Sequence, residues 1–351
     1  MSDYSVLGTL PETERTRAVD GLRRLRAALS RQVPPKTLDA TMLLATWNIR
    51  ELDTSKGGWR NPETYLYLAE VLRHFDLVGI QEVREDLAGL DALMSALGPH
   101  WQSIVTDVTE GRPGNGERMA FVYDVRTVEF AGMASQLVLP PLADGTPVEQ
   151  VARTPLMAGF RSGDAAFQVT TVHVIYGNDD PDDPRRVDEI GDIAAALRRR
   201  AQDEHAWSHD LVLLGDFNIY SPADMTMQAL TGQGWIVPAE LQSIPGSNVP
   251  KNKHYDQIAL RDPRERSHRF ETTGKAGVFD VFECVYRLDD AQDYALQMGE
   301  RYLATKDGRA RTEAEQQSYY RDWRTYQVSD HLPMWLELRT DYHDDLLRAS
   351  S

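Results

Sequence analysis

The stretch LVLLGDFNIY, from Leu211 to Tyr220, leads from a strand-like run directly into a group of polar side chains. The run LVLL is apolar throughout, as expected for a strand that is covered on both faces. It stops at Gly215, and Asp216 and Asn218 follow, so a carboxylate and an amide stand where a core strand ends. Taken alone, such a pair is typical of an Asx turn. Its meaning depends on what stands at the ends of the other strands.

From residue 41 onward, short strand-like runs alternate with amphipathic helices. Helices are predicted for residues 62–75, 87–97 and 184–202, and the last has Asp183 as N-cap and Pro184 at its first position. The runs 101–108 and 117–124 pair like the arms of a hairpin, which favours an α+β sandwich over a regular βαβ order. Further strands are predicted in MLLATWNI, LVGIQEV, FQVTTVHVIY, HYDQIAL and LPMWLEL.

Two segments stand apart from this alternating pattern. Residues 1–40 form a predicted helical appendage, with a helix over 11–31 that the sequence VPPKT at 33–37 ends. Residues 41–351 form the main domain. Within it, the polar, helix-favouring segment 289–326 separates two strand-like runs and is predicted to be a helical insertion.

The charge balance limits the classes of partner. The chain of 351 residues has 38 Lys and Arg against 54 Asp and Glu, a net charge of −16. This disfavours a tight nucleic-acid binder, because neutralising phosphates supplies most of the affinity of such proteins. It does not disfavour a metal-dependent phosphoesterase, since a bound divalent cation inverts the field locally.

Cysteine content and apolar runs indicate the compartment. Cys284 is the only cysteine, which excludes an internal disulfide and a thiolate-cluster zinc site. No run approaches the roughly 18 apolar residues of a membrane span. The N-terminus lacks the basic and apolar regions of a secretory signal. We therefore expect a cytoplasmic protein with no stable membrane association, and the pattern leaves its oligomeric state open.

Several strand-like runs end in residues suited to metal or phosphate chemistry. Strand ends on one rim of a sheet converge, so these side chains are predicted to share one pocket. Each has an ordinary structural explanation when it is taken alone, such as a strand histidine, a helix cap or a surface arginine. Their occurrence together in one order argues against that explanation. The residues are Asn48, Glu82, Arg84, Glu117, Arg118, Arg153, His173, Asp216, Asn218, Asp256, Asp330 and His331.

The ordered motifs N-I, Q-E, G-D-x-N, Y-D-x-I and S-D-H resemble those of the endonuclease/exonuclease/phosphatase superfamily, which includes deoxyribonuclease I and exonuclease III. The resemblance covers about residues 41–338. It implies an α+β fold: a single-domain, four-layer α/β sandwich with two packed, mostly antiparallel sheets flanked by helices. It also implies metal-assisted hydrolysis of a phosphodiester or a phosphomonoester.

The resemblance assigns a metal site and a first histidine pair. Glu82, supported by Asn48, is expected to bind Mg²⁺ or Mn²⁺, with Asp330 as a further ligand, because hard cations prefer oxygen ligands. His331 is expected to contact the scissile phosphate or to handle a proton. Its orienting partner is expected to be Asp256, in the manner of a catalytic triad.

A second histidine pair and a nucleophile-activating carboxylate complete the implied site. His173 is expected to pair with Glu117. Asp216 would activate or orient the attacking water, and Asn218 would donate a hydrogen bond to a phosphate oxygen. The two pairs are nearly symmetric in the sequence, so the division into acid and base stays open.

The substrate-binding residues resemble those of the deoxyribonuclease I branch. The sequence QEVR places Arg84 where that branch has an arginine that reaches into the DNA minor groove, and Arg153 in R-T-P resembles its phosphate-binding arginine. Arg118 is a third arginine expected around the site. Asn115 stands where deoxyribonuclease I has a tyrosine that stacks on a sugar, a departure from its mode of gripping duplex DNA. The sequence YDQI argues against the inositol polyphosphate 5-phosphatases, and bacterial-type sphingomyelinases stay open.

The leading prediction is therefore a Mg²⁺- or Mn²⁺-dependent nuclease, with DNA placed ahead of RNA as the substrate. The alternative is a phosphatase or phosphodiesterase that acts on a small molecule or a lipid headgroup, which the net charge favours. A catalytically inactive binding or scaffold protein is disfavoured, since every expected position has a competent residue. The acidic loop at 177–183 is predicted to be a solvated loop that caps the next helix, with a secondary Ca²⁺ site as the alternative.

Overall fold

The computed structural model describes residues 4–52, 58–110, 114–141, 144–261, 271–343 and 347. Two six-stranded sheets form its centre. The first has the order β11-β12-β1-β2-β4-β3 and consists of β1 (Thr41–Leu52), β2 (Leu77–Arg84), β3 (Trp101–Val105), β4 (Glu117–Asp124), β11 (Thr272–Val278) and β12 (Met334–Arg339). The second has the order β5-β6-β7-β8-β10-β9 and consists of β5 (Glu129–Gln136), β6 (Leu156–Ser162), β7 (Ala165–His173), β8 (Leu211–Asp216), β9 (Trp235–Ile236) and β10 (Asp256–Arg261).

Each sheet is antiparallel except for one parallel pair, β1 with β2 and β7 with β8. The helices lie on the outer faces. They are α1 (Glu12–Gln32), α2 (Pro62–Leu72), α3 (Ala88–Leu97), α4 (Pro184–Gln202), α5 (Met225–Thr231), α6 (Ala239–Gln242), α7 (Ala295–Met298), α8 (Glu300–Leu303) and α9 (Glu313–Gln327). This arrangement confirms the predicted four-layer sandwich.

Successive side chains of β1 point alternately to the two faces of the first sheet, and so pack in two different hydrophobic clusters. Leu43, Ala45 and Trp47 pack in the cluster under the outer helices, whereas Met42 and Leu44 pack in the cluster between the sheets. The inner cluster continues under α4 on the far side of the second sheet. Continued alternation places Asn48 on the inner side, where it faces the second sheet.

The two sheets approach each other closely at Gly79 of β2. A Cβ atom at this position would lie 2.5 Å from Leu214 Cδ1 of the opposite sheet and 3.2 Å from Thr171 Oγ1. A larger residue at this position would require the Leu214 side chain to move. The two sheets therefore pack closely against each other at this position.

The N-terminal helix and the insertion share one outer layer. Helix α1 buries Leu22, Leu25 and Leu29 in the cluster that covers the first sheet. Its Arg17 forms an ion pair with Glu63 of α2 at 2.9 Å and donates to the backbone carbonyl of Asp293 in the insertion. Residues 4–40 and the insertion therefore pack directly on the main domain.

Local signals placed helix α4, which covers the second sheet, correctly. Helix α4 spans the predicted residues, and the Asp183 carboxylate accepts a hydrogen bond from Arg185 N at 2.9 Å as the N-cap. Within the part of the chain that is described, no helix combines the length and the apolarity needed to cross a bilayer.

Candidate active site

The site forms where strand ends of the two sheets meet. In the second sheet, Asp216 at the end of β8 is in register with His173 at the end of β7 and with Asp256 at the start of β10. From the first sheet, Asn48 of β1 and Glu82 of β2 face them. The strand pairing thus converts motifs that are far apart in the sequence into one cluster.

Asp216 occupies the centre of the cluster. Its Oδ2 accepts a hydrogen bond from Asn48 Nδ2 at 2.9 Å and lies 3.6 Å from His173 Nε2 and 3.7 Å from His331 Nε2. Its Oδ1 accepts from Asn218 N at 2.9 Å. A single buried carboxylate therefore stands between both imidazole rings.

Gly215 permits this position of Asp216. Its φ is +137°, and a Cβ atom there would lie 2.1 Å from the carbonyl oxygen of Val172 in β7. Any other residue would clash with the neighbouring strand. The next side chain, Phe217, is buried in the core as the strand alternation predicts.

The first histidine pair is formed. His331 Nδ1 lies 2.8 Å from Asp256 Oδ2, and the Tyr255 ring packs beside the imidazole with centroids 5.4 Å apart. Burial of the imidazole lowers the pKa of His331, but the charges of Asp256 and Asp216 outweigh it and raise the pKa well above its usual value. We infer that His331 is an imidazolium at neutral pH.

The second pair is formed as well and includes more partners. His173 Nδ1 lies 2.8 Å from Glu117 Oε2, and Arg153 Nε lies 2.7 Å from the same oxygen. Asn115 Nδ2 donates to Glu117 Oε1 at 2.7 Å. Burial raises the pKa of Glu117, but His173, Arg153 and Asn115 together lower it to about 2. Asn115 therefore helps to position the Glu117 carboxylate.

Two of the predicted metal ligands, Asn48 and Glu82, lie on the first sheet, and Asp330 lies in the segment before β12. Glu82 has a left-handed backbone with φ of +60°; its Oε1 accepts from Asn48 Nδ2 at 2.9 Å and its Oε2 from Glu51 N at 2.7 Å. Burial, with the nearby charges of Glu117 and Asp330, raises the pKa of Glu82. Asp330 is 44% exposed at its side chain and lies 3.6 Å from Arg50 Nε.

These residues fit a hard divalent cation. Asn48 Oδ1 is buried and has no hydrogen-bond partner among the described residues. Mg²⁺ or Mn²⁺ would bind the unsatisfied amide oxygen of Asn48. The same ion would stabilise the ionised form of the neighbouring Glu82 carboxylate, which burial disfavours. Another group of close ligand atoms in the described residues, Asp164, Asp341 and His343, is exposed at the opposite end of β7 from His173.

Two of the predicted substrate-binding residues, Arg84 and Arg118, differ in their placement. Arg84 lies beside the cluster, where its Nη1 donates to Asn115 O at 3.1 Å. Arg118 lies on the other face of β4 from Glu117, donating to Thr106 O at 2.7 Å, so the structure does not bring it into the cluster. Alternation along β4 is the physical reason.

Asn218 has a structural contact in addition to its predicted role. Its Nδ2 donates to the carbonyl oxygen of Val174 at 2.9 Å, with φ of +54°. The amide thus ties the end of β8 to the segment after β7. A hydrogen bond from its second N–H to a phosphate oxygen stays a prediction.

The acidic loop at 177–183 is organised by an internal cation. The fully buried Arg186 side chain donates to the backbone carbonyls of Tyr176, Asn178 and Asp180, and to that of Asn218 at 3.0 Å. The carbonyl oxygens available for Ca²⁺ are therefore directed at a guanidinium. This favours the helix-capping explanation of the loop.

Sequence reasoning missed three tyrosines around the cluster. Tyr176 follows His173 by three residues, Tyr220 follows Asn218 by two, and Tyr255 directly precedes Asp256. The recurrence of a tyrosine beside three separate site motifs was the signal that could have revealed them.

Comparisons with known proteins relate the chain to one family and one fold. The sequence model of the Endonuclease/Exonuclease/phosphatase family matches residues 45–331. The endonuclease/exonuclease/phosphatase from Bacteroides vulgatus is similar at 17% identity over 87% of this chain and 100% of that chain, with a TM-score of 0.52. No curated protein matches the chain in sequence.

Two further solved structures share the fold. D. rerio TDP2 complexed with single strand DNA product is 14% identical over 86% of this chain and 99% of that chain, with a TM-score of 0.52. The Bacteroides thetaiotaomicron mannosyl-6-phosphatase is 16% identical over 85% of this chain and 99% of that chain, with a TM-score of 0.50. At these identities the likeness shows the fold alone.

Proposed function

The chain belongs to the endonuclease/exonuclease/phosphatase family, and on that premise we propose that it is a divalent-metal-dependent phosphodiesterase that cleaves nucleic acid, DNA ahead of RNA. The members of this family are phosphoesterases and typically use divalent metals. The observation that carries the proposal is the Asp216 carboxylate between two histidines, each with its own carboxylate partner.

The cluster supplies the groups that phosphoester hydrolysis needs. Mg²⁺ or Mn²⁺, held by Glu82 and Asn48 Oδ1 with Asp330 close by, would neutralise charge on the phosphate oxygens. Asp216 is placed to accept a proton from the attacking water. The His331 imidazolium, oriented by Asp256, is placed to donate a hydrogen bond to a phosphate oxygen. His173, held by Glu117, supplies a second hydrogen-bond donor beside the Asp216 carboxylate.

Arg84 supports a polymeric substrate. Its guanidinium donates to a backbone carbonyl, and no carboxylate of the described residues lies within 4.0 Å of it. An arginine without an acidic partner at the rim of an acidic protein is available for a phosphate. It would contact the strand beyond the scissile bond, where a small phosphomonoester has no group to offer.

One observation favours a second candidate function. The net charge of −16 repels a long polyanion, which supports a phosphatase or phosphodiesterase acting on a small molecule or a lipid headgroup. The shared fold also occurs in a mannosyl-6-phosphatase. We rank this second, because screening at physiological salt leaves local cations such as Arg84 more important than distant surface charge.

A substrate panel separates the two candidates. The full chain is incubated with plasmid DNA, single-stranded DNA, RNA and phospholipids, each with Mg²⁺, Mn²⁺ or EDTA. We expect metal-dependent cleavage of DNA, weaker cleavage of RNA, and loss of activity in EDTA and in Glu82→Ala. Release of phosphate or headgroup from the lipids with intact nucleic acids would replace the first proposal with the second. Full activity in Glu82→Ala would show that the site assignment is wrong.

A further inference from the structure

Three tyrosines from three different site motifs converge beside the catalytic cluster. The rings of Tyr220 and Tyr255 are 5.6 Å apart at their centroids, and those of Tyr176 and Tyr220 are 6.4 Å apart. Tyr255 in turn packs against the imidazole of His331. We call this set, Tyr176, Tyr220 and Tyr255, the tyrosine face.

Hydrogen bonds fix the tyrosine face in one arrangement. The Tyr220 hydroxyl donates to the Tyr176 hydroxyl at 2.8 Å, and the Tyr176 hydroxyl donates to Asp179 Oδ1 at 2.5 Å. Burial, together with the neighbouring Tyr220, raises the pKa of Tyr255 to about 12, so its phenol is neutral at physiological pH. Rings that are already ordered lose little conformational entropy when a ligand stacks on them.

Part of this aromatic surface is open to solvent. Tyr220 is buried, but Tyr176 is 42% exposed and Tyr255 is partly exposed. An exposed, rigidly held aromatic ring close to a phosphoester site is suited to stacking on a flat ligand group. Tyr176 is therefore the ring that a substrate can reach most readily.

A cation without an acidic partner lies on the same surface. Lys253 Nζ is 3.4 Å from the centroid of the Tyr220 ring, and no carboxylate of the described residues lies within 4.0 Å of it. A cation–π contact holds the ammonium but leaves its charge uncompensated. In a chain with a net charge of −16, such a lysine beside the site is available for an anionic group of the substrate.

We propose that the tyrosine face and Lys253 form a subsite for the nucleotide next to the scissile phosphate, with the base stacked on Tyr176 and the adjoining phosphate on Lys253. This inference rests on the proposed nuclease function and specifies how that site selects its substrate. It separates a base-bearing phosphodiester from a phosphomonoester, which has neither a neighbouring base nor a second phosphate.

The test compares two substrates that differ only in their bases. One is a fluorescent thymidine oligonucleotide, and the other is an oligomer of the same length whose units are tetrahydrofuran abasic sites. The kcat/KM for each is measured with Mg²⁺ for the full chain and for Tyr176→Leu, Tyr176→Phe and Lys253→Gln. Trp207→Leu is the matched control, since Trp207 is an exposed aromatic near the start of β8, at the far end from Asp216.

Tyr176→Leu should lower kcat/KM for the thymidine oligonucleotide about tenfold more than for the abasic oligomer, because stacking on the ring is lost. Tyr176→Phe, which keeps the ring, should retain most of the discrimination. A folding defect would reduce both rates together and leave their ratio unchanged. Lys253→Gln should raise KM for both oligomers and lower the slope of log KM against log salt by about 0.7.

Two results would contradict the subsite in distinguishable ways. If the wild-type chain cleaves both oligomers and Tyr176→Leu leaves the ratio of the two kcat/KM values at the wild-type value, the subsite is wrong and the nuclease proposal stands. If the wild-type chain cleaves neither oligomer with Mg²⁺ or Mn²⁺, both proposals are wrong.

Discussion

The chemistry of the site depends on one carboxylate that serves two histidines. Asp216 is buried, yet a backbone N–H and the Asn48 amide already satisfy its oxygens in part. The two Nε2 atoms, at 3.6 and 3.7 Å from Oδ2, are too far for direct hydrogen bonds to it. A water molecule that bridges Oδ2 and the two Nε2 atoms would contact all three side chains.

Asp216→Asn tests this arrangement. The amide keeps the shape of the side chain but cannot accept a proton, so we expect kcat to fall between about a hundredfold and ten-thousandfold, as for loss of a general base. Steady-state cleavage of single-stranded DNA and thermal melting should be measured together. Asp224→Asn is the control, since that carboxylate accepts from Ser221 N outside the cluster. Retention of half the wild-type rate in Asp216→Asn would rule out the role.

The lowered pKa of Glu117 predicts that the stability of the fold depends on pH. Its pKa is lowered from 4.5 to about 2 in the folded chain by His173 and Arg153, so its charge stabilises the fold above about pH 4.5. That stabilisation, about 3 kcal/mol, should disappear as the pH falls through the folded pKa. Urea unfolding of the wild type and Glu117→Gln between pH 6 and pH 2 should show two curves that converge at the acidic end. A constant difference over this range would contradict the assignment.

At the scale of elements, the covering helices stabilise the sheet that presents the metal ligands. Helix α1, helix α2 and the insertion are linked through Arg17, which pairs with Glu63 and lies with its guanidinium 4.1 Å from the centre of the Tyr294 ring. The Glu63 side chain is only 1% exposed. An unpaired carboxylate at that place would be costly.

Arg17→Ala should therefore lower the free energy of unfolding by about 3 kcal/mol, because it leaves the buried Glu63 charge without its partner. Urea unfolding at neutral pH measures this. Arg23→Ala is the matched control on the same helix: its ion pair with Asp20 is 76% and 52% exposed, so we expect a loss below about 1 kcal/mol. The double variant Arg17→Ala/Glu63→Gln should recover part of the lost stability. Equal losses in Arg17→Ala and in the control Arg23→Ala would contradict the proposed role of the ion pair.

At the scale of the whole molecule, the net charge opposes the binding of a polyanion, whereas the cations near the candidate site favour it. The chain has a net charge of −16, while Arg84 and Lys253 are cations beside the cluster without acidic partners among the described residues. The protein must therefore bind a polyanion through a few local contacts and not through a broad basic surface.

This predicts a weak salt dependence for cleavage of single-stranded DNA. Two phosphate contacts correspond to a slope of about 1.4 for log KM against log salt, since each contact with a single strand contributes about 0.7. Steady-state kinetics across a range of KCl concentrations measures the slope. Arg84→Ala should reduce it by about 0.7 and should weaken cleavage of a long strand more than that of a small chromogenic diester. A slope above about 5 would indicate a basic surface that this structure does not show.

Local patterns in the sequence determined the elements and the residue types at their ends. Apolar runs such as LVLL and the N-cap at Asp183 are properties of a few adjacent residues, so strand and helix positions followed from them. The ordered polar strand ends, together with the family they resemble, indicated the histidine–carboxylate pairs, and the structure brings both pairs together. Alternation along β4 also separated Glu117 from Arg118, a local signal that the sequence analysis did not use.

Only the tertiary structure decided which side chains meet. Asp256 and His331 are 75 residues apart, and Asn48 and Asp216 are 168 residues apart. Their contacts depend on the order of the strands and on how closely the two sheets pack, which no local pattern encodes. The same holds for the position of Asp216 between both imidazoles, for the bond from the Arg186 guanidinium to Asn218, and for the three tyrosines that pack together, of which Tyr255 lies against His331. These contacts join segments that the folded sheets bring together, whereas the bonds of Arg186 within its own loop are local.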